Sequence, residues 1–415
     1  MSIHHGMVNS ERKFPPFSFK RGRQVASKVP EELQILHVAD VHLGKRQYNL
    51  QERELDFYNA FEKSIEIALR ERVDAYVVAG DLFDTPVPYT SLQPLRVAVS
   101  GFRKLRERGI EVILLPGDHD KPKARGVPSI EFVSEMTGAK LLRSSKCIEV
   151  KGYKFCGLEA FNPLSESELE RAKSYVRTLR REASKRAVLV AHVGVKDLMP
   201  FQSVEKEFLP EGFLYYALGH IHKYAILEVH NTKAVYPGSL ETVSRDEIPE
   251  INNKGPVLVD LKDLSLQKIR IEVRPQVKVQ LRASSPIELM KELNEIYKKV
   301  PPNSVVHLFV PENLRAYVTR IVNTLSERVL HVRIDVIKSG YANNPLSDAS
   351  PTVKVSLLEV LKDIYGEKLG SKVYDVIQAY IEGNDEKAEQ LLDELFKSGV
   401  WNRSPYAFSQ RRLSK

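Results

Sequence analysis

The chain has 415 residues, 42% of them hydrophobic and 28% charged, and carries a net charge of +8 from 62 basic and 54 acidic side chains. That length allows two or three domains with a sizeable core, and the composition excludes a disordered protein. No apolar run reaches the length of a membrane span and the first thirty residues lack the apolar core of a signal peptide, so a cytoplasmic protein is expected, with a basic excess that suits a polyanionic partner.

Residues 1–33 are polar and centre on "KFPPFSFKRGR", which reads as a basic flexible arm. From Leu33 onward, short apolar runs alternate with amphipathic segments. "LQILHVAD", "DAYVVAGD" and "EVILLPGD" read as strands. Between them, "ERELDFYNAFEKSIEIALRER" and "SLQPLRVAVSGFRKLRERG" have apolar residues at helical spacing. This alternation predicts an α/β sheet covered on both faces. "IEVKGYKF" reads as a hairpin turning at Lys151-Gly152, which would set Cys147 opposite Cys156 at a non-hydrogen-bonded position. A disulfide is geometrically possible there, but two reduced thiols are expected in an intracellular protein.

After residue 186 the chain becomes strand-rich, with "RAVLVAH", "YYALGH", "AILEV", "AVYPGS", "PVLVDL" and "KIRIEV", which predicts a second sheet packed on the first. Residues 34–275 thus form one domain. Near Arg274-Pro275 the pattern restarts as β-α-β-α-β over residues 276–340, a small separate α/β domain. Residues 341–415 read as a linker, "SGYANNPLSDASP", followed by a helical segment with an apolar stripe at Val355, Leu357, Leu358, Val360, Leu361 and Ile364.

Acids and histidines recur where the strands end. Asp40 and His42 follow the first strand, and Asp81 and Asp84 the second. Asp118, His119 and Asp120 follow the third, His192 ends the "VLVAH" strand, and His220 and His222 end "ALGHIH". Ligands of open α/β sheets gather at the carboxyl ends of strands, so five segments far apart in sequence can converge on one crevice. Mixed carboxylate and imidazole donors suit manganese, iron or zinc, and two such ions can clamp a phosphate and activate a water.

The order DxH, GDxxD, GDHD, H, GHxH resembles the calcineurin-like metallophosphoesterases. "HVADVHLGKRQYN", "GDLFD", "PGDHD", "ALGHIH" and "YPGSLE" resemble one branch of them, the nuclease subunit of the double-strand-break-repair complex (meiotic recombination eleven in archaea and eukaryotes, SbcD in bacteria). The resemblance implies a four-layer sandwich, two mixed sheets flanked by helices, with a small α/β capping domain that guides DNA and a C-terminal helical segment. It further implies two Mn2+ ions per chain, one held by Asp40, His42 and His222, the other by Asp118, His192 and His220, with Asp81 bridging. His119 matches the catalytic histidine. Asp84, where many relatives carry a helper histidine, has a supporting role, and Asp120 supports His119 or its loop. Lys45 and Arg46, and after them Lys121, Lys123 and Arg125, are candidates for contacts to DNA phosphates.

The implied activity is a 3′→5′ exonuclease on double-stranded ends and an endonuclease on single strands, acting on nucleoid DNA with an SMC-like ATPase bound to the C-terminal helices, as a homodimer through the first two helices. One departure stands out. The family usually reads Gly-Asn-His-Asp where this chain has Asp118 in place of the asparagine. Aspartate offers an oxygen at the same reach plus a charge, so the change reads as conservative. The competing readings are a phosphoesterase for nucleotides or other small phosphodiesters, and an end-tethering scaffold in which cleavage is secondary.

Overall fold

A computed structural model of the chain describes residues 32–87, 91–121, 127–337, 358, 361, 362, 366–381 and 385–397. The basic arm at residues 1–31, Lys123, Arg125 and, from the C-terminal stripe, Val355, Leu357, Val360 and Ile364 lie outside the described residues.

Two six-stranded mixed sheets stack face to face. The first contains β1 (Gln34–Val38), β2 (Ala75–Ala79), β3 (Glu111–Leu115) and β4 (Lys140–Leu141), all parallel, with β11 (Val257–Asp260) and β12 (Ser265–Lys268) added antiparallel beside β1. The second runs β5 (Cys147–Val150), β6 (Tyr153–Leu158), β7 (Ala187–His192), β8 (Tyr215–Gly219), β10 (Thr232–Tyr236), β9 (Ala225–Val229). Their facing residues, among them Ile35, Val77, Ile113, Phe155, Val188 and Tyr215, form the central core. Helices α1 (Gln51–Glu71), α2 (Gln93–Glu107) and α3 (Ser129–Thr137) pack their apolar stripes on the outside of the first sheet. Helix α4 (Glu166–Glu182), capped by Ser165, covers the second. This is the expected four-layer sandwich.

One expectation about strand allocation is corrected. "PVLVDL" and "KIRIEV" do not extend the second sheet. "PVLVDL" returns to the first, where β11 pairs with the open edge of β1, and of "KIRIEV" only Lys268 lies in a strand, at the end of β12. The second sheet gains the β5–β6 hairpin instead, which precedes residue 186. Alternating polarity sets which strand is half-buried but not which sheet edge it closes. The hairpin has the predicted register, with Val150 opposite Tyr153 and Cys147 opposite Cys156. The expectation of two reduced thiols is also corrected, since Cys147 and Cys156 are disulfide-bonded. The non-hydrogen-bonded pairing brings their Cα atoms to 4.1 Å.

The third sheet is parallel, in the order β13 (Gln276–Gln280), β14 (Val305–Pro311), β15 (His331–Ile337), with α5 (Pro286–Lys299) and α6 (Val318–Ser326) closing a core of its own. Three contacts tie this module to the sandwich. Arg274 binds both carboxylate oxygens of Asp56 at 2.6 and 2.8 Å and the Asn303 carbonyl at 2.8 Å. Arg245 pairs with Asp335 at 2.9 Å. Tyr48, in the loop that follows Asp40 and His42, stacks on His331 with ring centroids 4.5 Å apart. Farther on, α7 (Glu367–Ile381) and α8 (Asp385–Lys397) pack on one another. No helix among the described residues is long and apolar enough to cross a membrane.

His37, inside β1, is fully buried between the sheets with Nδ1 3.1 Å from the Tyr215 hydroxyl. Burial, helped by the charge of Lys268, pushes its pKa down from 6.5 to about 3. The stability that comes with a neutral His37 is therefore complete above pH 6.5 and is lost as pH falls toward 3, at about 1.4 kcal/mol per pH unit. In urea unfolding measured between about pH 6 and pH 4, His37→Gln is expected to show a shallower acid dependence than the unaltered chain by about that slope. Equal slopes would contradict this assignment.

Candidate metal centre

Strands β1, β2 and β3 of one sheet and β7 and β8 of the other present their carboxyl ends at the same end of the sandwich. The chain turns sharply there. Asp40, His42, Asp81 and His220 all have positive φ, at 53°, 51°, 51° and 95°. Such conformations are uncommon for non-glycine residues and concentrate at functional sites. The glycines that precede the ligands have a steric origin. A Cβ on Gly219 would lie 1.9 Å from the Ala79 carbonyl oxygen, and one on Gly80 would lie 2.0 Å from Nδ1 of His192. The "GD" and "GH" pairs thus let the two sheets approach until ligand atoms from both meet.

Two groups of donors result. Asp40, His42 and His222 bring one ligand atom each within 4.8 Å of one another, and so do Asp118, His192 and His220. In the second group, Oδ1 of Asp118 lies 2.9 Å from Nε2 of His192 and 3.2 Å from Nδ1 of His220. Asp81 stands between the groups, with Oδ2 3.4 Å from Nε2 of His192 and 3.8 Å from Nε2 of His42. The structure therefore brings together all seven residues expected as ligands.

The imidazoles are set as cation ligands. Nδ1 of His192 donates to the Ala79 carbonyl at 2.8 Å, and Nδ1 of His222 donates to Glu247 at 2.8 Å. Nδ1 of His42 faces Oδ1 of Asp84 at 3.5 Å. With Nδ1 of His192 and Nδ1 of His222 each donating to an acceptor, the Nε2 atoms of these rings turn inward to the centre. Nε2 of His42 and Nε2 of His222 lie 3.3 Å apart, close enough for an N–H···N hydrogen bond between the rings or for both nitrogens to hold one cation. Oxygen and imidazole donors of this number fit divalent manganese, iron or zinc. Charge is matched locally as well. Burial opposes ionisation of Asp81, but the charge and hydrogen bond of His192, with His42 beside them, hold its carboxyl down to about 2. Burial likewise disfavours a charged His192, yet Asp81 and Asp118 raise it well above its ordinary value.

The remaining expected residues fall around this centre. His119 is exposed beside it, with Nδ1 2.9 Å from the Asp84 carbonyl and Nε2 3.9 Å from Oδ2 of Asp118. Asp84 backs His42 and pairs with Lys45 at 2.9 Å, so Lys45 is engaged by a carboxylate at the site. Arg46 stays exposed. Lys121 turns to the Ala160 carbonyl and lines, with Asp118, His192, His220 and Phe161, a cavity of about 360 Å³ next to the centre. Glu247 and Lys254, both buried behind His222, are absent from the sequence reading. The spacing Ser244-x-x-Glu247 is a helix-capping box, and that role hid the second one.

Asp120 is buried, and its carboxylate accepts from the backbone amides of Leu82, Phe83 and Gly117 at 3.1, 2.9 and 3.0 Å. It ties the loop after β2 to the loop that carries Asp118 and His119. Asp120→Ala strands three buried N–H groups and is expected to lower the unfolding free energy by about 2–4 kcal/mol in urea titrations. A loss below about 1 kcal/mol would show that the loops hold without it.

The calcineurin-like phosphoesterase family matches residues 33–224, the span that carries every ligand of both groups. The DNA double-strand break repair protein Mre11 of Saccharolobus solfataricus is 36% identical over 292 residues, covering 67% of this chain and 75% of that protein. The Mre11 protein of Sulfurisphaera tokodaii is 34% identical over 277 residues, 64% of this chain and 69% of its own length. That of Methanocaldococcus jannaschii is 28% identical over 383 residues, covering 88% and 99%.

Proposed function

The chain belongs to the Mre11 family of calcineurin-like phosphoesterases, and we propose that it is a two-metal DNA nuclease of double-strand-break repair, a 3′→5′ exonuclease on duplex ends and an endonuclease on single strands. The observation that carries the proposal is the meeting of two histidine–aspartate groups at Asp81 with His119 alongside.

Asp40, His42 and His222 would hold one Mn2+ and Asp118, His192 and His220 the other, with Asp81 common to both. Bound there, divalent ions supply Lewis-acid polarisation of the phosphodiester and acidification of a water. The protein does the rest. His119 is anchored through its Nδ1 proton to the Asp84 carbonyl, so Nε2 is the nitrogen turned to the leaving oxygen, to which the doubly protonated ring would pass its Nε2 proton, leaving the neutral Nδ1–H form. The Asp81 carboxylate also accepts from the His119 backbone amide at 2.9 Å, which fixes this loop relative to the centre. Asp118 serves where the family has asparagine because its Oδ1 makes the two contacts, to His192 and His220, that an amide oxygen would make.

The module of residues 276–340 would guide DNA as a capping domain, since it adjoins the Tyr48 loop that follows Asp40 and His42. The C-terminal helices would bind an SMC-like ATPase. A second copy would dock through the first two helices, α1 and α2, where Leu55 of α1 and Leu92, just before α2, are exposed apolar side chains. The site of action would be nucleoid DNA in the cytoplasm.

End-labelled duplex and single-stranded DNA, incubated with Mn2+, Mg2+ or chelator, test this directly. Mn2+-dependent cleavage is expected. His119→Asn should lose at least about a hundredfold in rate while retaining its metal. Asp118→Asn should keep activity within about tenfold, because the ligating oxygen remains. Hydrolysis of a small phosphodiester without cleavage of DNA would assign the chain to the small-substrate phosphoesterases instead.

A further inference from the structure

Glu247 and Lys254 are almost fully buried, and neither belongs to the two ligand groups. Oε1 of Glu247 accepts from Nδ1 of His222 at 2.8 Å and from the Ser244 amide at 2.9 Å. Oε2 accepts from Lys254 Nζ at 2.5 Å, the Ser239 hydroxyl at 2.9 Å and the Val243 amide at 3.1 Å. Lys254 uses its other two protons on Oγ of Ser239, at 2.6 Å, and on the His222 carbonyl, at 3.2 Å. Every donor of the ammonium is therefore placed, and His222 is held at both ends by the same ion pair, its ring through Glu247 and its backbone through Lys254.

A capping role does not account for this. The cap of the short helix at Arg245–Asn253 needs only the bonds between Glu247 and Ser244. It does not need a lysine taken out of water, which costs several kcal/mol unless its geometry is well satisfied. A carboxylate behind an imidazole fixes the tautomer and ring orientation and makes the inner nitrogen a stronger donor to a cation. A neutral amide in its place would keep the orientation but not the charge.

We propose that Glu247, with Lys254 as its counter-ion, is a positioning residue that fixes His222 as an Nε2 ligand and sets how tightly its group holds a divalent cation. This rests on the metal centre assigned under Proposed function. It adds a residue that touches neither substrate nor metal and acts only through His222.

The test is equilibrium titration of Mn2+ into the metal-free full chain and into Glu247→Gln, followed calorimetrically, with thermal melting of both metal-free proteins. Glu247→Gln is expected to weaken one of the two binding steps by about 10–100-fold and leave the other unchanged, and also to lower the metal-free melting temperature, because Lys254 loses its counter-ion. Two unchanged binding steps would overturn the proposal, since a purely structural role lowers the melting temperature without touching affinity. No Mn2+ binding by the unaltered chain would instead overturn the metal centre itself. Should the variant fail to fold, the Zn2+-loaded unaltered chain labelled with 15N-histidine decides the matter. A slowly exchanging Nδ1 proton, assigned by its loss in His222→Gln, is expected, and an Nδ1 proton that exchanges freely with water would overturn the proposal.

Discussion

The arrangement at the carboxyl ends of the strands depends on one constraint: imidazoles and carboxylates from two sheets are crowded into one site. Nε2 of His42 faces Nε2 of His222 at 3.3 Å, and Asp81 reaches toward both ligand groups. Such crowding is tolerable only where positive charge is shared among the donors. The positive φ values of Asp40, His42, Asp81 and His220 and the glycines ahead of the ligands are the backbone's means of reaching it. The stacked sheets supply rigidity, because a core that includes Ile35, Val77, Ile113 and Val188 holds the strand ends in place from below.

Around this centre, the protein sets an acceptor on the far side of three of the four imidazoles. A backbone carbonyl serves His192, a carboxylate paired with Lys45 serves His42, and a carboxylate paired with Lys254 serves His222. The loops are held in the same way, with Asp120 joining three amides across two of them. The small α/β module is linked to this frame through Arg274, Arg245 and Tyr48, so the loop that carries the first ligands is also the surface the module rests on.

The residues that gather at the centre were legible in the sequence because each is local. A short apolar run followed by DxH, GD, GDHD or GHxH states both the strand and the donor at its end, and a parallel sheet brings such ends together. The β-α-β-α-β module and the hairpin register at Lys151-Gly152 were legible for the same reason, since period and turn chemistry are written within a few residues. Long-range pairing was not. Nothing near Val257 says that β11 will close the edge of β1, some 220 positions earlier, and nothing near Glu247 says that its carboxylate will face His222. Glu247 also satisfied a simpler local role as a cap, and Lys45, apparently free to meet a phosphate, proved to be paired with Asp84. The register that sets Cys147 opposite Cys156 was legible, but their bonded state was not.

We propose that Asp81 joins two cation sites, each of which draws residues from both sheets. The most direct measurement is anomalous diffraction from crystals of the full chain soaked in Mn2+. Two anomalous peaks are predicted, one among Asp40, His42 and His222 and the other among Asp118, His192 and His220, with Asp81 in contact with both. A single peak, or two peaks with Asp81 touching neither, would contradict the account.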